Sequence, residues 1–173
     1  MRNDRGLFLM TLAERLAPEF QKEMKTTRKL LERVPVDKFT WAPHERSMPL
    51  GRLASHIAEM PSWLTGTVQL EFMDIDASYR PWTAASRDEL LSKFDAYAAE
   101  AGKALTGASD EDLDKRWALR MGGQELFAAP REEVIRTWVL NHMIHHRGQL
   151  SVYLRLLEIP VPGIYGASAD EAP

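Results

Sequence analysis

The sequence predicts an all-α fold, a four-helix bundle with a small β-hairpin just before its last helix. Three observations predict it. Apolar residues recur at helical spacing in four long stretches, as the buried faces of packed helices require. The breaks between those stretches carry helix-start and helix-stop residues. The exception is a short run of alternating residues around Gly122-Gly123, the pattern of a tight turn between two strands.

The first helix is expected from about Leu7 to Arg33, where Leu9, Leu12, Leu16, Phe20, Met24 and Leu31 share a face; Pro18 should kink it and Pro35 marks its stop. A loop containing Trp41-Ala42-Pro43-His44 follows. Ser47 is the candidate cap of the second helix and Pro49 suits its first turn. Its stripe of Leu53, Ile57, Met60 and Leu64 leads to an end near Phe72, with a bend at Pro61. The third helix opens at Ser86 with Glu89 in capping-box position and runs to about Thr106, and Ser109 with Asp112 can cap a short turn after it. The hairpin is expected within Trp117 to Phe127, and the last helix from about Arg131 to Glu158. This organisation is one domain over residues 1–159, followed by a loose C-terminal tail, 160–173, rich in Pro, Gly, Ala and Asp.

Composition narrows the function classes. A length of 173 residues suits one well-buried core. The net charge of -3 supplies no broad basic field, so no nucleic-acid partner is expected. With no cysteine there is no disulfide framework, no thiolate zinc site and no cysteine nucleophile; any metal must be held by histidine and oxygen. Met1 to Met10 carries Arg2, Asp4 and Arg5 and no long apolar core, so neither a signal peptide nor a membrane partner is expected, and the cytoplasm is the expected compartment.

Chemistry concentrates in the run Asn141-His142-Met143-Ile144-His145-His146-Arg147-Gly148-Gln149. Residues four apart lie one turn apart on one helix face, so His142 and His146 can converge on a single ion without bending the backbone. On a regular helical wheel with Val134 at zero they fall at ~80° and ~120°, in the middle of the apolar stripe. His145 falls on its shoulder, and Arg147 lies off the stripe, facing solvent or a neighbouring helix. Buried imidazoles need partners, and neutral histidine bound to a divalent ion has one. His56, on the shoulder of the second helix's stripe, is the strongest third candidate. Three histidines from two helices would leave a coordination position open, the arrangement of catalytic zinc sites. Gln149 and Tyr153 share the metal face, Glu59 is a candidate oxygen ligand or base, and Trp41 and Trp63 are candidate pocket walls. His44 reads as a surface residue of its loop.

On Leu53-Ala54-Ser55-His56-Ile57, on His142 through Leu150 and on the preceding Trp41-Ala42-Pro43, the sequence resembles the DinB-like (DinB/YfiT) family of bacterial metal-binding four-helix bundles. The resemblance implies a metal site of His56, His142 and His146 for a divalent ion such as zinc or nickel. It also implies a homodimer, with pairing expected through apolar stripes left on helices one and three. Members with assigned activity include thiol-dependent S-transferases and isomerases, and others are described as hydrolases. A small-molecule substrate, with a low-molecular-weight thiol as partner, is therefore the implied chemistry, and no catalytic residue beyond the metal ligands is assigned.

Other metal and nucleotide classes fit the motif badly. A zinc protease of the H-E-x-x-H type needs glutamate after its first histidine, where this chain has Met143. A di-iron bundle needs Glu-x-x-His pairs, which the last helix lacks. Met121-Gly122-Gly123-Gln124 has no following lysine or helix start and is no phosphate loop. What remains is a metal-dependent enzyme that activates a thiol or water, or a non-catalytic metal-stabilised module of the binding or stress-response kind.

Overall fold

A computed structural model describes residues 10–76 and 78–171 of the chain. The expected helical positions Leu7 and Leu9, and the N-terminal segment before Met10, lie outside the described residues. The fold is mostly helical with a small three-stranded sheet.

Helix α1 spans Leu12–Leu31 and starts on a capping box, in which the Thr11 hydroxyl accepts from the Glu14 amide and the Glu14 carboxylate from the Thr11 amide. Helix α2 spans Leu50–Gln69, and its start corrects the expectation at Ser47. No side chain caps it. The first free amides are met by loop carbonyls instead: Leu50 donates to Trp41 at 2.8 Å and Gly51 to Phe39 at 2.9 Å. Only glycine fits at Gly51, because a Cβ there would stand 2.8 Å from the Phe39 ring. The Trp41-Ala42-Pro43 loop therefore anchors the helix that carries His56. Both α1 and α2 continue through their internal prolines, Pro18 and Pro61.

Strand β1, Phe72–Ile75, follows at once where a helix end was expected. After α3, Arg87–Thr106, and the short α4, Asp110–Asp114, come strands β2, Arg116–Met121, and β3, Gln124–Pro130. Ser86 and Ser109 cap α3 and α4 as the sequence suggests, although Glu89 spends its carboxylate on the Ala85 amide and the Trp82 indole rather than on Ser86. Gly122 and Gly123 turn the β2–β3 hairpin at φ of 57° and 82°, conformations that favour glycine. β1 adds in parallel to β2, with Phe72 opposite Ala118 and Ile75 opposite Met121, so the sheet order is β1-β2-β3. Alternation sends Met73, Ile75, Trp117 and Leu119 to the side facing the helices.

The last helix is not regular. It opens as α5, Arg131–Val134, passes through a π-helical stretch, Ile135–Asn141, and continues as α6, His142–Leu156. Wider turns with i→i+5 bonds advance each residue by less than the ~100° of an α-helix, so α6 lags a regular wheel by roughly a third of a turn. The buried face of α6 is consequently Met143, His146, Arg147, Leu150 and Leu154, while Val152 is largely exposed. Arg147, expected off the stripe, is completely buried against α1.

The core joins Leu16, Phe20 and Leu30 of α1, Leu53, Ile57 and Leu64 of α2, Leu90, Phe94 and Leu105 of α3, and Val139, Leu150 and Leu154 of the last helix. On α1 and α3 no large apolar side chain among the described residues is mostly exposed. The segment after Pro160, expected as a loose tail, folds back on the helices: Val161 is buried, Asp170 pairs with Arg155, and the Tyr165 hydroxyl reaches Glu23 and Arg147. No helix among the described residues is long and apolar enough to cross a membrane.

Candidate metal centre

His56 from α2 and His142 and His146 from α6 converge. One ring nitrogen from each lies within 4.8 Å of the others, and this is the group of potential ligands found among the described residues. His145 is exposed, with its ring 4.9 Å from that of His146 but outside the cluster, and His44 sits exposed in its loop, where Nδ1 accepts from the Arg46 amide. The structure thus brings together the three histidines the sequence singles out and leaves the other two aside.

The outward nitrogens of two rings are already committed. His56 Nδ1 lies 3.1 Å from Glu59 Oε1, and His146 Nδ1 lies 2.6 Å from Gln149 Oε1. A carboxylate and an amide oxygen can only accept, so these two bonds assign the proton to Nδ1 and the lone pair to Nε2 of both rings, although the Arg52 guanidinium also approaches His56 Nδ1 at 3.3 Å. Arg52 holds Glu59 in place, donating to it at 2.8 Å and to the Trp82 carbonyl at 2.9 Å. Sequence reasoning weighed Glu59 as an oxygen ligand or base; its place is behind His56, on the ring nitrogen turned away from the cluster. Arg52 was missed. Its signal was its position, one turn before His56 and two before Glu59 on the same helix face.

His142 tests whether a cation fits. Its Nε2 stands 2.8 Å from His146 Nε2, and its Nδ1 is buried without a hydrogen-bond partner. With His146 Nε2 unprotonated, the His142 proton must sit on Nε2 to bridge the two rings, which strands Nδ1 as a buried acceptor. A cation removes the conflict. The His142 proton then belongs on Nδ1, beside the Trp138 carbonyl, which lies close enough to favour a protonated ring though not in hydrogen-bonding geometry. Three inward lone pairs result. Nitrogens bound to a tetrahedral ion at 2.0–2.1 Å stand roughly 3.3 Å apart, a separation that lies within the 4.8 Å bounding the three ring nitrogens. Three neutral imidazoles with oriented outer partners fit a divalent ion.

Burial favours the neutral form of His142 and His146. It is the main cause lowering the pKa of both His142 and His146, with the neighbouring His56 adding to it; the Gln149 bond partly offsets the shift of His146, which still falls to about 4. The linkage has a definite sign. A depressed histidine pKa stabilises the metal-free native state fully above the unfolded value of about 6.5, and that contribution is lost as pH falls toward 4. Urea unfolding of metal-free protein should therefore show a loss of stability from pH 6.5 to 4 that is smaller in His146→Gln. Identical pH profiles for the two proteins would refute the assignment of a neutral, buried His146.

Aromatic rings wall the site. The Trp63 ring lies 5.4 Å from His56 and 5.6 Å from His142, and the exposed Trp138 stands edge-on to His142 at 6.3 Å. Trp41 is one step removed: it packs edge-on against Tyr153, whose hydroxyl donates to the Met48 carbonyl. Trp138 was not anticipated. It belongs to the π-helical stretch, whose altered phase a regular wheel cannot represent.

A mostly helical domain with three imidazoles converging from its second and last long helices defines a class of candidate metal-binding proteins. The chain belongs to the DinB family, whose sequence model matches residues 8–172. It is 27% identical over 149 residues to the uncharacterized protein YrdA of Bacillus subtilis (strain 168), covering 86% of this chain and 85% of that protein. Its fold is similar to the crystal structure of a DinB-like protein from Bacillus cereus ATCC 10987, with a TM-score of 0.69 and 24% identity over 90% of this chain and 98% of that one. It is also similar to that of the DinB-like protein YjoA from Bacillus subtilis, with a TM-score of 0.63 and 20% identity over 84% and 95% of the two chains.

Proposed function

We propose that this protein is a divalent-metal-dependent enzyme of the thiol S-transferase kind, in which His56, His142 and His146 hold zinc or nickel and a small thiol is the activated partner. The framework in this reading is a four-helix bundle of α1, α2, α3 and the last helix, supported by the shared core of those elements. The observation that carries the reading is the ligand count. Three imidazoles converge, and no carboxylate among the described residues joins them, because Glu59 is held behind His56. A three-histidine set leaves room for an exogenous ligand.

A bound ion would supply Lewis acidity, lowering the pKa of a thiol or water toward neutrality. The chain's own residues do the rest. Glu59 and Gln149 fix the ring orientations of His56 and His146, so their lone pairs remain directed inward. Trp63 covers one side of the cluster and limits access of water. An open depression lined by Thr137, Trp138, Asn141, His142, His145 and His146 gives a small polar molecule a route to the His142 edge. Glu59 is paired with Arg52 and so is poorly placed to take a proton from water, which favours thiol chemistry over hydrolysis.

Cobalt-substituted protein tests the proposal. Addition of cysteine or glutathione should produce a thiolate-to-metal absorption band, and metal-loaded protein should then join the thiolate sulfur to the ring carbon of chlorodinitrobenzene, breaking its C–Cl bond and releasing chloride and the thiol proton. An unchanged spectrum together with no turnover would overturn the enzyme reading in favour of a metal-stabilised, non-catalytic module.

A further inference from the structure

On the other side of His142, between the sheet and the last helix, lies a partly enclosed cavity of about 150 Å³. Trp63 of α2, Ile75 and Leu119 of the sheet, Phe127 of β3, and Val139 and His142 of the last helix are among its walls, and the surface facing its interior is entirely apolar. The cavity has a structural cause. Strand alternation turns side chains of β1 and β2 toward the helices, and the π-helical stretch widens the last helix opposite them. Phe127 stacks on Trp138 at 4.8 Å and 18°, and both rings line the cavity. Trp138 and His142 also line the polar depression, so these two side chains are walls of both hollows.

We propose that this cavity binds the apolar end of the substrate, a compact, uncharged hydrocarbon group about the size of one aromatic ring. The inference rests on the proposed metal chemistry only in calling the occupant a substrate; binding of the hydrocarbon itself does not require the ion. Protein interiors rarely leave voids of this size, and an apolar cavity of about 150 Å³ stays dry and accepts benzene. A charged or strongly polar group would lose its hydration and find no partner on these walls. A substrate lodged here by its apolar end places the attached reactive carbon at the His142 edge, opposite a thiol arriving through the polar depression. The two hollows thus divide the two reactants by polarity.

Methyl-resolved NMR of the full chain, metal-free and zinc-loaded, tests this with toluene as probe. Toluene should saturably shift the methyl resonances of Ile75, Leu119 and Val139 in both forms, and benzoate should bind at least tenfold more weakly. Filling the cavity in either of two ways, Leu119→Phe or Val139→Phe, should abolish the toluene shifts. Toluene should also alter the visible spectrum of the cobalt-loaded protein, since His142 is a wall of both hollows. No saturable shift in the folded wild type, binding that survives both filling variants, or a cobalt spectrum indifferent to bound toluene would each overturn the assignment. A toluene response without any thiol response overturns the thiol reading alone; a thiol band without toluene binding overturns the cavity alone.

Discussion

Arg147→Ala is expected to destabilise the protein by about 3–5 kcal/mol, because it removes one partner of a buried ion pair and leaves the other uncompensated. Arg147 is 1% exposed. Its guanidinium lies 2.6 Å from Glu23 Oε2, donates to Thr27 Oγ1 at 3.1 Å and to the Tyr165 hydroxyl at 2.6 Å, and that hydroxyl in turn donates to Glu23 at 3.0 Å. Four groups from α1, α6 and the C-terminal segment thus satisfy one another. Alanine would strand the Glu23 carboxylate in the core and empty the volume of the largest fully buried side chain. Tyr165→Phe deletes only the hydroxyl and should cost about 1 kcal/mol. The double variant Glu23→Leu/Arg147→Met, which removes both charges, should recover most of the loss. Urea midpoints of the three variants check this. If Arg147→Ala were no worse than the double variant, the stranded-charge argument would fail.

The same arginine shows where the sequence stopped being legible. The helical stripes of α1, α2 and α3, the Ser86 and Ser109 caps and the Gly122-Gly123 turn depend on local spacing and turn chemistry, which a single sequence displays. So does the pairing of His142 with His146, because both follow the π-helical stretch and its phase error moves them together. Arg147 falls off the stripe only on a wheel counted from Val134, on the other side of that stretch; of the two places expected for it, solvent or a neighbouring helix, it takes the second. Nothing in Ile135–Asn141 announces the wider turns by residue type. Strand β1 was hidden for a different reason: its four residues gain their partner only from β2, more than forty residues later, so no local pattern of their own was needed. The cap of α2 lies in backbone carbonyls of Phe39 and Trp41, which carry no side-chain signature. Glu59 is a candidate from the sequence and Arg52 is not, and the service of both to the far nitrogen of His56 depends on ring orientation.

His142→Ala is expected to abolish metal binding, the largest functional effect of any single substitution. Reconstituted wild type should carry about one divalent ion per chain, and two histidines alone form a weak ligand set. The loss should appear as stability too. An ion that binds only the native state stabilises it in proportion to the logarithm of its free concentration over its dissociation constant, about 4 kcal/mol when that ratio is a thousand. Zinc should therefore raise the urea midpoint of wild type and leave that of His142→Ala unmoved. A graded series separates ligation from mere packing. His145→Ala, outside the cluster, should keep the ion at wild-type affinity, whereas Glu59→Gln should bind about 10–100-fold more weakly, because a neutral amide holds and polarises the His56 ring less than a carboxylate does. Elemental analysis and competition with a chromogenic chelator read both quantities. Wild-type protein that holds no ion after reconstitution would remove the metal centre altogether. Unchanged affinity in Glu59→Gln would instead leave the three histidines standing and refute the role assigned to the carboxylate behind them.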